Sequence, residues 1–178
     1  DNYLSYEAPA DLEPGSSELA DFTLKLQSEV YKADKRVVDG TMSASGYESS
    51  RYALCNSNGL DLEDTAAFSY SYAAALVSDG ENKYDGDGIA SGSLEGFDAA
   101  KIAAEAVDDA VSTIGYTSVP SGKYTVVFSS KVMAALLSTY SSVFCADTAQ
   151  KGLSLLAGKE NTNVAADLLT LTDDPLYK

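Results

Sequence analysis

The sequence predicts an α+β fold, an antiparallel meander sheet packed with helices, followed by the start of a second α/β unit. Three observations lead there. From Val37 to Leu76 the residues alternate with a period near two, and Asn58-Gly59 stands between Tyr52-Ala53-Leu54 and Leu60-Asp61-Leu62, which is a strong hairpin signal. From Phe97 to Gly115 the apolar residues instead recur with helical spacing. Beyond Ser118 the meander gives way to a strand pattern and then helices, with Pro120 and Gly122 at the change.

Taken in order, residues 1–15 hold Pro9, Pro14 and Gly15 among acidic residues and read as a loose entry. Ser16-Ser17 can cap a helix whose face is Leu19, Phe22, Leu26 and Val30. In Phe68-Ser69-Tyr70-Ser71-Tyr72 the aromatics share one face of a strand and the serines the other, as when one side is covered; the aromatics are expected in the core. The stripe Ile102, Ala103, Ala106, Val107, Ala110, Val111 and Ile114 marks a helix begun near Asp98 and stopped by Gly115.

Lys123 to Phe128 is a run of strand formers, and Ser129-Ser130 caps a helix expected over 131–144, with Val132, Leu136, Tyr140 and Val143 facing a core. Asp147 and Gln150 have capping-box spacing for a further short helix that Gly158 would stop, and Leu168 to Thr172 suggests a last strand. The domain division expected is 1–118, the end of an amino-terminal α+β domain, and 119–178, the opening of a carboxyl-terminal one.

Of 178 residues, 12 are basic and 27 acidic, giving a net charge of −15. Binding to nucleic acid draws on clustered Lys and Arg, so a direct nucleic-acid partner is not expected. A hydrophobic share of 45% with 22% charged residues is that of a globular chain. No apolar run approaches the ~18 to 20 residues that cross a bilayer, so no membrane partner is expected either. The chain opens at Asp1 without Met and reads as a piece of a longer one. It contains no histidine, which excludes Ser-His-Asp and Cys-His catalysis and the HExxH zinc site from these residues. Cys55 and Cys145 both sit in apolar runs and are expected in the core of a protein from the reducing cytoplasm.

The acidic loop from Asp79 to Gly92 invites a calcium reading, but neither register works. Lys83 takes the fifth ligand position counted from Asp79, and Ile89 the fifth counted from Asp85. The segment is expected to be a solvated connection. Asp61, Glu63, Asp64, Asp108, Asp109, Asp173 and Asp174 are candidates for acid/base chemistry. Asp109 falls on the polar side of its helix, however, and Asp173-Asp174 precedes Pro175, so solvation and a chain turn explain these better.

Gly46-Tyr47-Glu48-Ser49-Ser50-Arg51 leading to Asn56-Ser57-Asn58-Gly59-Leu60, then Val119-Pro120-Ser121-Gly122 with the run Lys123 to Phe128, and finally Thr170-Leu171-Thr172-Asp173-Asp174-Pro175-Leu176 together resemble the TldD/PmbA family, and within it the PmbA (TldE) branch. The order and spacing of these segments carry the resemblance, which runs from about Leu19 to the carboxyl end. It implies part of a PmbA/TldD-like fold. It implies also a place in a metalloprotease system for peptide maturation and proteolysis, with a TldD-like catalytic subunit as partner and peptide as the substrate of the complex. In the catalytic branch a HExxxH helix binds zinc; its three positions fall on Ser138, Thr139 and Val143, none of which suits zinc as imidazole does. The resemblance thus implies a subunit with no catalytic residue, cofactor or metal of its own. The alternatives are a carboxylate-based hydrolase and a stand-alone protein-interaction domain.

Overall fold

The computed structural model describes residues 13–174. The expected loose entry therefore lies largely outside the described residues, as do Pro175 and Leu176. The chain divides into two units, Asp1–Val119 and Pro120–Lys178.

In the first unit, α1 (Ser16–Ala33) is followed by β1 (Met42–Cys55), β2 (Asp61–Ser78), β3 (Lys83–Gly92) and α2 (Ala99–Ser112). The strands form one antiparallel sheet in the order β1-β2-β3. Helix α1 packs Leu26 and Val30, and part of Phe22, into the core, as the spacing of its apolar residues requires. Its N-cap is Gly15 rather than either serine, and no side chain caps it.

Helix α2 follows the sequence pattern closely. The Asp98 carboxylate accepts from the amides of Ala100 (2.9 Å) and Lys101 (3.2 Å), satisfying two donors that a helix start leaves unpaired. Ile102, Ala103, Ala106, Val107 and Ala110 are buried, and Gly115 ends the segment at φ 77°, a conformation that suits glycine. The β1–β2 turn is also where Asn58-Gly59 places it, with Gly59 at φ 88°. Asn56 organises that turn: its side-chain oxygen accepts from Asn58 N (2.9 Å) and Leu60 N (3.2 Å).

Two further expectations, both for the sheet, are corrected. The segment 79–92 is not simply a solvated connection, because Lys83–Gly92 forms β3 and pairs with Ser69–Ser78 of β2. The glycines that suggested a loop permit a close approach instead. A Cβ at Gly86 would stand 2.2 Å from Ala110 N, and one at Gly88 2.1 Å from Ile102 O, so the α2 backbone lies directly on the strand.

The covered face of the sheet is likewise the reverse of that expected. Ser69, Ser71, Ala73, Ala75 and Val77 are buried, whereas Phe68 and Tyr70 are 41% and 38% exposed. Small side chains let the helices approach this face, and the bulky aromatics take the other. Ser71 Oγ donates to Ser45 Oγ at 2.8 Å, which satisfies buried hydroxyls that would otherwise be costly.

The second unit contains α3 (Ser130–Thr139), a 3-10 turn at Ser141–Phe144 and α4 (Ala146–Gln150). Ser129 caps α3 through Val132 N (3.3 Å). The expected strands at Lys123–Phe128 and Leu168–Thr172 are not strands. Neither segment has a ladder partner among the described residues, and Val127 and Leu168 stand fully in solvent; a β-branched run without a neighbour to pair with is only an extended segment. Helix α3 stops before Val143 and buries no residue, with Val132 and Tyr140 both exposed. Thr139 Oγ1 bonds back to Ala135 O at 2.8 Å, and the serines after it favour local bonds over helix continuation. Helix α4 has no side-chain cap. Asp147 lies in its first turn and pairs with Lys151 (3.0 Å), and Gly152, at φ 70°, rather than Gly158, follows its end.

Candidate functional site

The positions onto which the resemblance lays the zinc motif of the catalytic branch lie on either side of the break after α3. Ser138 and Thr139 close the helix, and Val143 falls in the 3-10 turn that follows Tyr140. Ser138 is exposed, and the Thr139 hydroxyl is engaged with Ala135 O. Val143 contributes its backbone: its carbonyl accepts from the Ser154 hydroxyl at 2.5 Å, and its amide donates to Tyr140 O at 3.0 Å. Two neutral hydroxyls and an isopropyl group, split between two helical segments, do not make a zinc site. These residues do not fit the metal.

The acidic residues do not converge. Asp61, Glu63 and Asp64 sit at the far end of the hairpin, where Glu63 pairs with Arg51. Asp109 on α2 accepts from Asp87 N at 3.3 Å. Asp108 lines a cleft of about 450 Å³ between the end of α1 and α2, together with Lys32, Asp34 and Arg36. Asp173 is exposed in an irregular segment. Among the described residues, no three His, Cys, Asp or Glu side chains come together to hold a metal ion.

Four charged groups of the cleft, Glu29, Lys32, Asp34 and Arg36, pair with one another. Arg36 donates Nε to Asp34 Oδ1 (2.9 Å) and Nη2 to Asp34 Oδ2 (2.8 Å), a bidentate pair. This, with the Arg36 amide, holds the Asp34 carboxyl down at about 2. Lys32 pairs with Glu29 at 3.0 Å.

Asp79, the first residue of the calcium-like stretch, serves its own turn. Its Oδ1 accepts from Asn82 N (2.7 Å) and Glu81 N (2.9 Å), and its Oδ2 accepts from the Tyr84 hydroxyl (2.7 Å). The Asn82 amide first, then the Tyr84 hydroxyl and the Glu81 amide, hold its carboxyl at about 2, and the same bond raises the Tyr84 hydroxyl above its ordinary value. A carboxylate that closes a β2–β3 turn is not free to take up calcium's oxygen geometry.

Cys55 and Cys145 are free and exposed, contrary to the core placement expected from their apolar neighbours. Cys55 ends β1 at the part of the hairpin that β3 does not reach, and Cys145 caps a helix of only five residues. Neither has the packed surroundings that an apolar run suggests.

A helix-covered antiparallel sheet followed by a short helical unit, with no assembled catalytic cluster among the described residues, defines a class of chain that family comparison makes specific. The chain belongs to the PmbA/TldD family: the PmbA/TldA metallopeptidase central domain matches residues 9–114, and the PmbA/TldA metallopeptidase C-terminal domain matches residues 121–178. It is similar to the crystal structure of a protein from Thermotoga maritima described as a modulator of a DNA gyrase, with 27% identity and a TM-score of 0.75 over 89% of this chain. It also shares its fold with TldE from Thermococcus kodakarensis, at 21% identity and a TM-score of 0.66 over 89% of this chain. The chain spans 37% of the length of each of these proteins. No curated protein sequence matches it.

Gly86 and Gly88, which set the sheet-to-helix distance, and Asn56, which builds the hairpin turn, were not expected in these roles. A signal existed for the glycines: their spacing of two within a stretch that also holds Tyr84, Ile89 and Ala90 fits a strand as well as a loop.

Proposed function

We propose that this chain is part of a PmbA/TldE-type subunit that works beside a TldD-like catalytic partner in peptide maturation and proteolysis, and that carries no zinc site of its own. The observation that carries the reading is the replacement of all three positions of the family's zinc motif, by Ser138, Thr139 and Val143, in a chain with no histidine. Such a subunit contributes binding surface and leaves water activation to its partner.

The division at 118 and 119 fits this reading. Residues 1–118 are the last part of the domains that precede the peptidase-like one, and 119–178 are its opening. The two exposed thiols suit a reducing compartment, and we place the protein in the cytoplasm. Among the described residues no helix is long and apolar enough to cross a membrane.

Co-expression of the full-length protein with the TldD-like protein of the same organism, followed by purification through a tag on one of them, tests the partnership. The expected result is a stoichiometric complex that survives size exclusion. Separate elution of the two at micromolar concentration overturns it.

A further inference from the structure

An antiparallel sheet with one face on a core normally turns its polar side chains to water. Here the larger apolar groups lie on the side away from the helices. The strand pairing fixes which residues share that side: Ala44 faces Tyr72, Gly46 faces Tyr70 and Glu48 faces Phe68 across β1–β2, while Tyr72 faces Ile89 and Leu76 faces Asp85 across β2–β3. Phe68, Tyr70, Tyr72 and Leu76 therefore form a stripe along the central strand, widened by Met42 on β1 and Ile89 on β3. Ile89 is 66% exposed and Met42 51%.

The stripe is organised. The Tyr70 ring lies over Gly46, where a Cβ would come within 2.5 Å of it, and packs at 6.4 Å from Phe68. The Tyr72 hydroxyl reaches Met42 Sδ at 3.6 Å. An ordered, contiguous apolar face of this kind marks an interaction surface.

Charge decides what fits it. The ionisable side chains on the same face are Glu48, Asp64, Asp85 and Asp87 against one base, Lys83. A second copy would set acid against acid, in a chain whose net charge is −15. An occupant with an apolar stripe bordered by Lys and Arg meets the aromatics with its stripe and the acids with its flanks.

From Phe68 to Leu76 the stripe runs about 27 Å at the rise of an extended strand. That is the length of a helix of about 18 residues, whose single apolar face has the width of a stripe centred on one strand. We propose that the open face of this sheet is a docking surface for a basic amphipathic helix of a partner protein. The inference does not rest on the zinc-free reading of the chain.

The probe is a synthetic 18-residue peptide with Leu at helical spacing and Lys elsewhere, titrated against the full-length protein at low and high salt. Two controls accompany it: the same peptide with Glu for Lys, and a peptide of the same composition with its leucines spread around the helix. The expected result is saturable binding of the amphipathic Lys peptide alone, weakened by salt. Ile89→Ser removes an exposed side chain without adding charge, and should weaken binding about tenfold, the equivalent of burying one such group. Met42→Ser should act in the same direction, and Asp85→Asn should flatten the salt dependence. Circular dichroism confirms that each variant is folded.

Affinity unchanged by Ile89→Ser and Met42→Ser overturns the proposal, because binding then depends on general charge elsewhere. Equal binding of the Glu or scrambled peptide also overturns it. So does a protein dimer that Ile89→Ser converts to monomer, which would assign the face to a second copy.

Discussion

Replacing Gly88 by Ala tests the packing that holds the first unit together. Gly88 lies on the covered side of β3, and its added Cβ would sit 2.1 Å from Ile102 O and 3.1 Å from Ala106 N. Ordinary contact begins at 3.4 Å, so strand and helix must part by more than an ångström. The obstructing atoms are helix backbone and cannot turn aside as a flexible side chain would. Separation on that scale forfeits a quarter to a half of each dispersion contact at the interface, and α2 buries Ile102, Ala103, Ala106, Val107 and Ala110 there. Overpacking typically costs about 1 to 3 kcal/mol, and backbone against backbone belongs at the upper end. The smaller entropy of an unfolded chain with Ala in place of Gly returns roughly 0.4 to 1 kcal/mol. The net expectation is a loss of about 2 kcal/mol. With an m-value of about 1 to 3 kcal/mol/M, the urea midpoint falls by about 1 M. Hydrogen exchange at the amides of residues 99–112 assigns the loss to this interface. Gly96→Ala is the control, since its Cβ would meet nothing within 4 Å, and it should leave the midpoint unchanged or slightly raised. A Gly88→Ala midpoint equal to that of the parent would refute the reasoning.

Asn56→Ala removes the acceptor for two turn amides; the bonds are exposed, so a loss of about 1 kcal/mol is expected, read as a lower urea midpoint and faster exchange at Leu60. Asp34 and Asp79 both titrate near 2 in the folded protein, below the ordinary 3.8. Between those values the unfolded chain binds more protons, so their stabilisation is complete above pH 4 and fades as pH falls toward 2. Asp79→Asn should shrink the difference between urea midpoints measured at pH 5 and pH 2.5, and an undiminished difference would contradict the assignment. The triple variant Ser138→His, Thr139→Glu, Val143→His restores the zinc motif's spacing across a helix break. After dialysis against chelator and readdition of zinc, it should retain no stoichiometric metal, and a tightly held equivalent would show that the break does not matter.

The features legible in the sequence are those specified by neighbours along the chain. Asp98 and Gly115 bracket α2 because capping and helix termination are local, and Asn58-Gly59 marks its turn for the same reason. Which side of β2 is covered was not legible, because alternation shows that two faces differ and not which one a helix occupies. Ser69 and Ser71 read as the solvent side until Ser45 supplies a partner for Ser71. Gly86 and Gly88 looked like loop residues because their meaning depends on α2, more than ten residues away. The apolar runs around Cys55, Lys123–Phe128 and Leu168–Leu171 suggested burial, yet a run does not supply the neighbours that bury it. Of the candidate site, the chemical identities of Ser138, Thr139 and Val143 were plain in the sequence, whereas the break that separates Val143 from the helix was not. That break falls at Tyr140, whose backbone leaves the helical region at φ −100° and ψ 12°.

The central claim, a zinc-free subunit serving a catalytic partner, is tested most directly by peptide cleavage with metal accounting. The full-length protein, its TldD-like counterpart and an equimolar mixture are each incubated with an unstructured peptide, and the zinc content of each purified chain is measured. The account predicts cleavage by the mixture, none by this protein alone, and zinc with the counterpart only. Cleavage by this protein alone, or an equivalent of zinc retained by it, would contradict the account.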